Sequence, residues 1–97
     1  MNGYVLSLAA DHDIEAIFDY GVYKFGITQA EKYLMDLDEC LNMLSKKPHL
    51  GTRRTEIKEG LLSLVKSSHI IFYKIESEFI FIIRVLNQAQ DIPKNLG

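Results

Sequence analysis

The sequence predicts one α+β domain, with an N-terminal strand followed by an antiparallel helical hairpin that packs on a small antiparallel sheet. Apolar residues recur at helical spacing in two consecutive segments before residue 48, and three runs rich in β-branched and aromatic residues follow residue 60. The breaks between these runs are two or three residues long. Such breaks permit antiparallel hairpins but not parallel crossovers, which need about a dozen residues. The hairpin is therefore expected to cover one face of the sheet.

The chain is expected to begin with a short strand and continue into a helix. Tyr4, Leu6 and Leu8 alternate with their neighbours, which is the period of a strand. Three acidic residues between positions 11 and 15 stand near the helix start, where the helix dipole favours negative charge. Gly26 should end this helix, because glycine adopts a left-handed backbone at little cost. The predicted buried stripe consists of Ile14, Ile17, Phe18, Gly21 and Phe25.

A second helix is predicted to start at Thr28. Thr28 and Glu31 have the spacing of a capping box, in which each side chain binds a free backbone N–H of the first turn. Lys46 and Lys47 stand at the negative end of the helix, and Pro48 closes it. A connection of about three residues should make the two helices antiparallel. The predicted buried stripe is Ala30, Tyr33, Leu34, Leu37, Leu41 and Leu44.

The predicted strands cover residues 61–66, 69–75 and 79–87. Residues 79–83 are apolar on both faces, which is typical of an internal strand. That strand should be covered by the helices on one side and by other chain or a partner on the opposite side. Residues 49–55 are expected to form a loop, and residues 88–97 show no periodicity.

Composition places the chain among small globular domains. Of its 97 residues, 47% are hydrophobic and 25% are charged, which argues against disorder. The single cysteine, Cys40, excludes an internal disulfide framework, fits a reducing compartment and is expected in the core. No apolar run reaches the roughly 20 residues of a membrane span, and no signal peptide is recognisable. We therefore expect a soluble, cytoplasmic protein with no membrane partner.

Charge is divided unequally along the chain. Residues 1–45 carry two basic and eight acidic residues, a net charge of -6, whereas residues 46–97 carry nine basic and five acidic residues, a net charge of +4. This division predicts a molecule with an acidic side and a basic side, so that its partners need not be alike.

Catalytic and metal-binding motifs are not recognisable in this sequence. His12, His49 and His69 fall in different predicted elements, so no metal or other cofactor is expected. The glycines are isolated and form no phosphate-binding loop. No Ser/His/Asp or Cys/His grouping stands in a motif that would support nucleophilic catalysis.

The most prominent polar group is basic. It can contact phosphate, contact an acidic protein surface, or remain a solvated loop. Arg84 interrupts an otherwise apolar strand, and an arginine there needs a carboxylate or carbonyl partner. We expect an ion pair with the acidic hairpin in preference to an open functional site. The group comprises Lys46, Lys47, Arg53, Arg54, Lys58 and Arg84.

The first helix carries a second candidate surface. Ala16, Tyr20 and Tyr23 lie on one side of the helix, rotated away from its buried stripe. Aromatic residues outside the core face indicate a partner, because tyrosine supplies contact area at low entropic cost. Simple edge packing with hydroxyls in water is the alternative.

Short motifs in a fixed order run through nearly the whole chain, and together they resemble the ParE branch of the RelE/ParE toxins of type II toxin–antitoxin modules. Each motif alone is a short apolar or turn pattern, so the order and the spacing carry the resemblance. The motifs are YVLSLAA at 4–10, DI at 13–14 with Ile17, YKFG at 23–26, QA at 29–30 with Tyr33, PHLG at 48–51, IKEGL at 57–61, SHIIFY at 68–73, and IRVL at 83–86 followed by Asp91.

The resemblance implies a function as well as the fold. ParE-type toxins poison DNA gyrase by binding it, and a small ParD-like antitoxin wraps around them and neutralises them. No catalytic residue and no sequence-specific nucleic-acid binding would then be needed. The antitoxin would bind Ala16, Tyr20 and Tyr23, and the expected gyrase-binding residues are Arg53, Arg54, Lys58, Arg84 and Asn87.

The chain departs from the family pattern after IRVL. Related sequences commonly carry histidine where this chain has Asn87, and residues 88–90 lack the basic residue often seen there. Two alternatives follow, a RelE-like ribosome-dependent mRNA endoribonuclease and an inactive toxin that only binds antitoxin. Asn87 counts against the ribonuclease, because asparagine cannot transfer a proton at neutral pH. His69, Arg54, Lys58 and Arg84 could still form such a site, although His69 is expected to be structural.

Overall fold

The computed structural model describes residues 3–89 and has the α+β architecture expected from the sequence. Gln90 and Asp91, and with them most of the aperiodic tail, lie outside the described residues. A 3-10 turn, Pro48–Leu50, follows the second helix. The elements are β1 Tyr4–Leu6, α1 Leu8–Phe25, α2 Ile27–Lys46, β2 Thr52–Arg53, β3 Leu62–Lys66, β4 His69–Ile75 and β5 Ile80–Asn87.

The sheet has five strands in the order β1-β5-β4-β3-β2. The strand pairs β3–β4 and β4–β5 are antiparallel, as the short breaks predicted. The sheet as a whole is mixed, because β1 pairs in parallel with β5, from Tyr4 opposite Ile80 to Leu6 opposite Ile82. The loop predicted at 49–55 contains a further short strand, β2, that pairs antiparallel with β3.

Ser7 ends β1 and starts α1. Its hydroxyl accepts a hydrogen bond of 2.9 Å from the backbone N–H of Ala10, which is the usual N-cap contact. The prediction that Leu8 continues the strand is therefore wrong. Leu8 is the first residue of α1, and 73% of it is exposed.

Gly26 alone connects the two helices. It has φ 91° and ψ 164°, a backbone region that is essentially restricted to glycine, and its N–H bonds the carbonyl of Val22. The predicted helix end at Gly26 is thus confirmed, but the capping box is wrong. Helix α2 begins at Ile27 without a side-chain cap, so Thr28 already lies in its first turn.

The helical hairpin is closely packed near this connection. A Cβ added at Gly21 would lie 3.3 Å from the Cβ of Ala30, so the small residues let the helix backbones approach. Phe25 was predicted to be buried, and this is wrong, because 63% of it is exposed beside the turn. Leu34, also predicted in the core, is 38% exposed at the edge of α2.

The main core lies between the hairpin and the sheet. Leu37, Leu41 and Leu44 of α2 pack in one cluster with Ile80 and Ile82 of β5, as the helical stripe predicted. Cys40 is a half-buried free thiol beside this cluster, and burial raises its pKa. In the described part of the chain, neither helix is long and apolar enough to span a membrane.

A second cluster covers the opposite face of the sheet. Phe72 and Leu86 are buried there against Leu61 and Ile57 of the loop that precedes β3. We expected either another part of the chain or a partner to cover the second face of the internal strand β5, and the loop before β3 does so. Tyr73 fixes the turn between α2 and β2, because its hydroxyl donates to the Pro48 carbonyl at 2.8 Å and accepts from the Gly51 N–H at 3.0 Å.

Candidate partner-binding groove

A groove of about 720 Å³ lies between the helical hairpin and the end of the sheet. We call it the hairpin groove. Helices α1 and α2 form one wall, and the β3–β4 turn with the last residues of β5 forms the other. Its apolar lining includes Ala16, Ile17, Tyr20, Phe25, Leu34 and Leu37.

An ion pair between Asp13 and Arg84 stands in the wall of the groove. Arg84 donates two hydrogen bonds of 2.8 Å to the Asp13 carboxylate, one from Nε to Oδ2 and one from Nη2 to Oδ1. The ion pair expected between Arg84 and the acidic hairpin is thus confirmed. These hydrogen bonds raise the pKa of Arg84, since they stabilise its charged form.

The end of β1 explains why Asp13 can reach β5. Beyond Leu6, the Ser7 N–H bonds the Ile82 carbonyl at 2.9 Å and the Ser7 hydroxyl bonds the Ile83 carbonyl at 2.7 Å. The pairing of β4 with β5 is irregular at this point, with Phe72 opposite Arg84 and Tyr73 opposite Ile82. Asp13 then accepts the Val85 N–H at 3.0 Å. Beyond the end of β1, residues at the start of α1 therefore supply the hydrogen-bond partners along this edge of β5.

His69 lies at the opposite end of the groove. Its Nδ1 is 2.6 Å from the hydroxyl of Tyr33, which is itself 3.3 Å from the Lys66 carbonyl oxygen. The Ser68 hydroxyl approaches the same ring nitrogen at 3.4 Å. Burial lowers the pKa of His69, because it disfavours the charged imidazolium. His69 therefore links α2 to the sheet, in agreement with its expected structural role.

The aromatic residues of the first helix are exposed as the sequence indicated. Tyr20 is 57% exposed and lines the groove together with Ala16, whereas Tyr23 is 87% exposed and lies outside it. Phe25 joins Tyr20 at the groove rim, and the Lys24 ammonium lies 5.7 Å from the ring of Tyr20 and 5.8 Å from that of Phe25. Sequence reasoning missed Phe25 because its spacing assigns it to the buried stripe.

The predicted gyrase-binding residues fall into two separate groups. Arg84 and Asn87 line the hairpin groove, and the side-chain oxygen of Asn87 accepts the Ala89 N–H at 2.8 Å. Arg53, Arg54 and Lys58 do not line it, but lie in β2 and in the loop before β3. The structure thus brings Arg84 and Asn87 together with Ala16 and Tyr20, which were predicted to bind the antitoxin.

Arg54 is held in place by its neighbours. Its Nε donates to Glu56 at 2.7 Å, its Nη1 donates to the Ser63 hydroxyl at 3.2 Å, and its guanidinium carbon lies 5.8 Å from the ring centre of Phe72. The hydrogen bond from Arg54 lowers the pKa of Glu56. Arg53 is exposed on the short strand β2 and is the more available cation of the two.

Within residues 3–89, no group of three or more histidine, cysteine, aspartate or glutamate side chains could hold a metal ion.

Comparison with known proteins identifies close relatives along nearly the full chain. Residues 4–92 match the family model described as ParE toxin of type II toxin-antitoxin system, parDE. Toxin ParE1 of Mycobacterium tuberculosis is 36% identical over 94 residues, which cover 96% of each chain. Toxin ParE1 of Caulobacter vibrioides is 30% identical over 97 residues, with full coverage of both.

A solved structure, the chromosomal ParDE TA system from P. aeruginosa, has a similar fold. One of its chains aligns with a TM-score of 0.76 and 22% identity, covering 90% of this chain and 96% of that one. This likeness confirms the fold predicted from the sequence.

Proposed function

The chain belongs to the ParE family, the toxins of parDE-type type II toxin–antitoxin systems, and we propose that it binds and poisons DNA gyrase and is neutralised by a ParD-like antitoxin. The observation that carries the proposal is the family match, which spans residues 4–92 and includes the elements that form the hairpin groove. A gyrase-directed toxin would act in the cytoplasm, where the bacterial chromosome is supercoiled.

The groove supports the antitoxin part of the proposal. It is mostly apolar, and the exposed residues Tyr20 and Phe25 are part of its lining. Such a surface suits an amphipathic protein segment, whose apolar side chains fill the groove while its polar side faces water. Ala16, Tyr20 and Tyr23 are the proposed antitoxin contacts. An antitoxin seated there also covers Arg84 and Asn87, and so removes part of the proposed gyrase surface.

The charge of the second half supports the gyrase part. Arg53, Arg54 and Lys58 lie outside the groove, on the half of the chain with the net charge of +4. We propose that they contact an acidic surface of gyrase, together with Arg84 and Asn87. Cations at the rim of an interface steer association and select the partner more than they add to the affinity.

Action by binding alone is consistent with the contacts of the candidate catalytic groups. His69 is engaged by Tyr33, and Arg54 is engaged by Glu56 and Ser63. A ribonuclease would need a general acid or base beside the scissile phosphate.

The test is a gyrase supercoiling and cleavage assay with purified antitoxin-free protein, ATP and plasmid. We expect linear DNA to accumulate after protease treatment, and we expect a co-purified antitoxin to prevent it. In cells, induction should cause filamentation and the DNA-damage response. No effect on gyrase at excess toxin would overturn the proposal, and cleavage of ribosome-bound mRNA would then identify a RelE-like enzyme. If both assays are blank and the antitoxin still binds, the chain is a member that only binds antitoxin.

A further inference from the structure

Asp13 engages only two of the N–H donors of the Arg84 guanidinium. Arginine has five N–H donors in a planar fork. Asp13 takes the Nε edge, with one bond from Nε and one from Nη2. The opposite edge, which consists of Nη1 and the remaining Nη2 hydrogen, can receive a second planar acceptor with the same two-bond geometry.

The guanidinium of Arg84 is accessible beside the hairpin groove. Arg84 lines the groove, and 31% of its side chain is exposed. Within residues 3–89, no buried side-chain nitrogen or oxygen lacks a hydrogen-bond partner, so Nη1 of Arg84, which does not bond Asp13, is an accessible atom. The Asp13 carboxylate also fixes the plane of the guanidinium. Binding of a partner therefore costs little additional conformational entropy of the Arg84 side chain.

The surroundings select the kind of acceptor. Besides Asp13 and Arg84, the charged side chains that line the groove are Lys32 and Asp36; His69, Tyr20 and Tyr33 are its other titratable groups, and most of the remaining lining is apolar. Asp13 and Asp36 balance Lys32 and Arg84, so the groove lacks the excess of positive charge that a nucleic-acid strand with a charge on every phosphate requires. A single carboxylate on an otherwise apolar segment meets Arg84 with opposite charge, and the apolar walls strengthen the interaction by excluding water.

We propose that Arg84 is a carboxylate receptor in the hairpin groove, and that the antitoxin segment that fills the groove places an aspartate or glutamate side chain against its open edge. The proposal rests on the proposed function in one respect, that the occupant is the antitoxin. It adds antitoxin recognition to the gyrase contact proposed for Arg84, so that the two partners exclude each other there, and it assigns Asp13 to positioning the guanidinium. The specificity of the groove then lies in one acidic residue flanked by apolar ones.

The test uses a displayed library of random dodecapeptides, panned against the purified full chain. Binders that depend on Tyr20, and are therefore lost on the Y20A variant, report the groove. We expect them to share an aspartate or glutamate between apolar residues. Replacing that residue by its amide in the peptide should weaken binding to the wild-type chain about tenfold.

A double-mutant cycle then localises the contact. The loss caused by the peptide amide should vanish in Arg84→Gln, should persist in part in Arg84→Lys, and should be unchanged in Lys32→Gln, which removes a neighbouring positive charge. If Arg84→Gln does not fold, the Arg84→Lys variant still reports the coupling, because lysine keeps the charge but loses the planar fork.

Three results would overturn the proposal. These are groove binders with no shared acidic residue, an acidic residue whose effect is independent of Arg84, and displacement of the peptide by a short RNA oligonucleotide with the same dependence on Arg84. A library that yields no groove binder also counts against it. The gyrase assay is independent of these outcomes, so failure of the carboxylate receptor and failure of the toxin function are distinguishable.

Discussion

The Asp13 carboxylate joins the first helix to the last strand by accepting three hydrogen bonds, two from the Arg84 guanidinium and one from the Val85 N–H. Asp13→Asn keeps the size of the side chain but replaces one acceptor oxygen by a donor and removes the charge that pairs with Arg84. We expect this variant to lose about 1–3 kcal/mol of unfolding free energy, between the values for exposed and for fully buried pairs. The measurement is urea unfolding followed by circular dichroism.

Asp11→Asn is the matched control for this prediction. Asp11 is exposed in the first turn of the same helix, so its substitution should change stability by less than about 0.5 kcal/mol. Equal unfolding midpoints for the two variants would show that the ion pair contributes nothing to the fold.

His69 should make stability depend on pH. Burial lowers its pKa in the folded state, so the unfolded chain binds a proton more readily. The contribution of neutral His69 is fully present above the unfolded pKa of about 6.5 and is lost as pH falls from there through the folded pKa. We expect wild type to lose stability relative to His69→Gln between pH 7 and pH 5, measured by urea unfolding at each pH. A constant difference would contradict the prediction.

At the scale of single residues, the sequence predicted that a side chain requires a polar partner, but not which residue supplies it. Arg84 in an apolar strand required a carboxylate or carbonyl partner, and the ion pair that we expected with the acidic hairpin is present. That Asp13 supplies it could not be predicted, because the two residues are 71 positions apart and their contact depends on where β1 ends. Phe25 shows the opposite failure. Its spacing fits the buried stripe, but the one-residue turn that follows leaves it exposed.

At the scale of elements, Gly26 determines the geometry of the helical hairpin. Its φ and ψ of 91° and 164° lie in a region that side chains rarely adopt, and an added Cβ would meet no neighbour. The cost of substitution therefore comes from backbone strain alone. We expect Gly26→Ala and Gly26→Asn to destabilise the fold equally, by about 1–3 kcal/mol, in thermal unfolding. Asparagine tolerates the ordinary left-handed region, so a clear advantage of Asn over Ala would contradict this conformation.

The elements themselves were predicted with unequal success, for physical reasons. Strands β3, β4 and β5 agree with the expected runs to within one residue, because short polar turns bound them. The parallel pairing of β1 with β5 joins residues 76 positions apart and leaves no local pattern. Strand β2 has two residues, too few to show a period of two. The capping box failed because Gly26 brings the helix start forward to Ile27.

At the scale of the whole molecule, the charge division corresponds to two structural halves. Residues 1–45, the segment with a net negative charge, comprise β1 and almost all of the helical hairpin. Residues 46–97, the segment with a net positive charge, contain the other four strands. The groove lies where these halves meet, with Asp13 from one and Arg84 from the other. Arg53 stands on the edge strand β2, outside the groove. This separation allows the part of the proposed gyrase surface that includes Arg53 to be tested independently of the antitoxin surface.

We expect variants of the two surfaces to affect different interactions, one with gyrase and the other with the antitoxin. Arg53→Ala should weaken gyrase inhibition about threefold to tenfold and leave antitoxin affinity unchanged, because an exposed rim cation acts mainly on association with one partner. Tyr20→Ala combined with Tyr23→Ala should weaken antitoxin binding about tenfold to a hundredfold and leave gyrase inhibition intact, since two exposed aromatic contacts are removed. Supercoiling assays and calorimetry measure the two effects, and the melting temperatures should remain near that of wild type.

Lys24→Ala is the charge-matched control for Arg53 in the supercoiling assay, because it removes a cation from the acidic half of the chain. Equal loss of gyrase inhibition in both variants would indicate an effect of net charge and not of the basic surface. If Arg53→Ala also weakened antitoxin binding, or the tyrosine pair also weakened gyrase inhibition, the two partners would share one surface. The hairpin groove, which already contains Arg84 and Asn87, would then be the place where they compete.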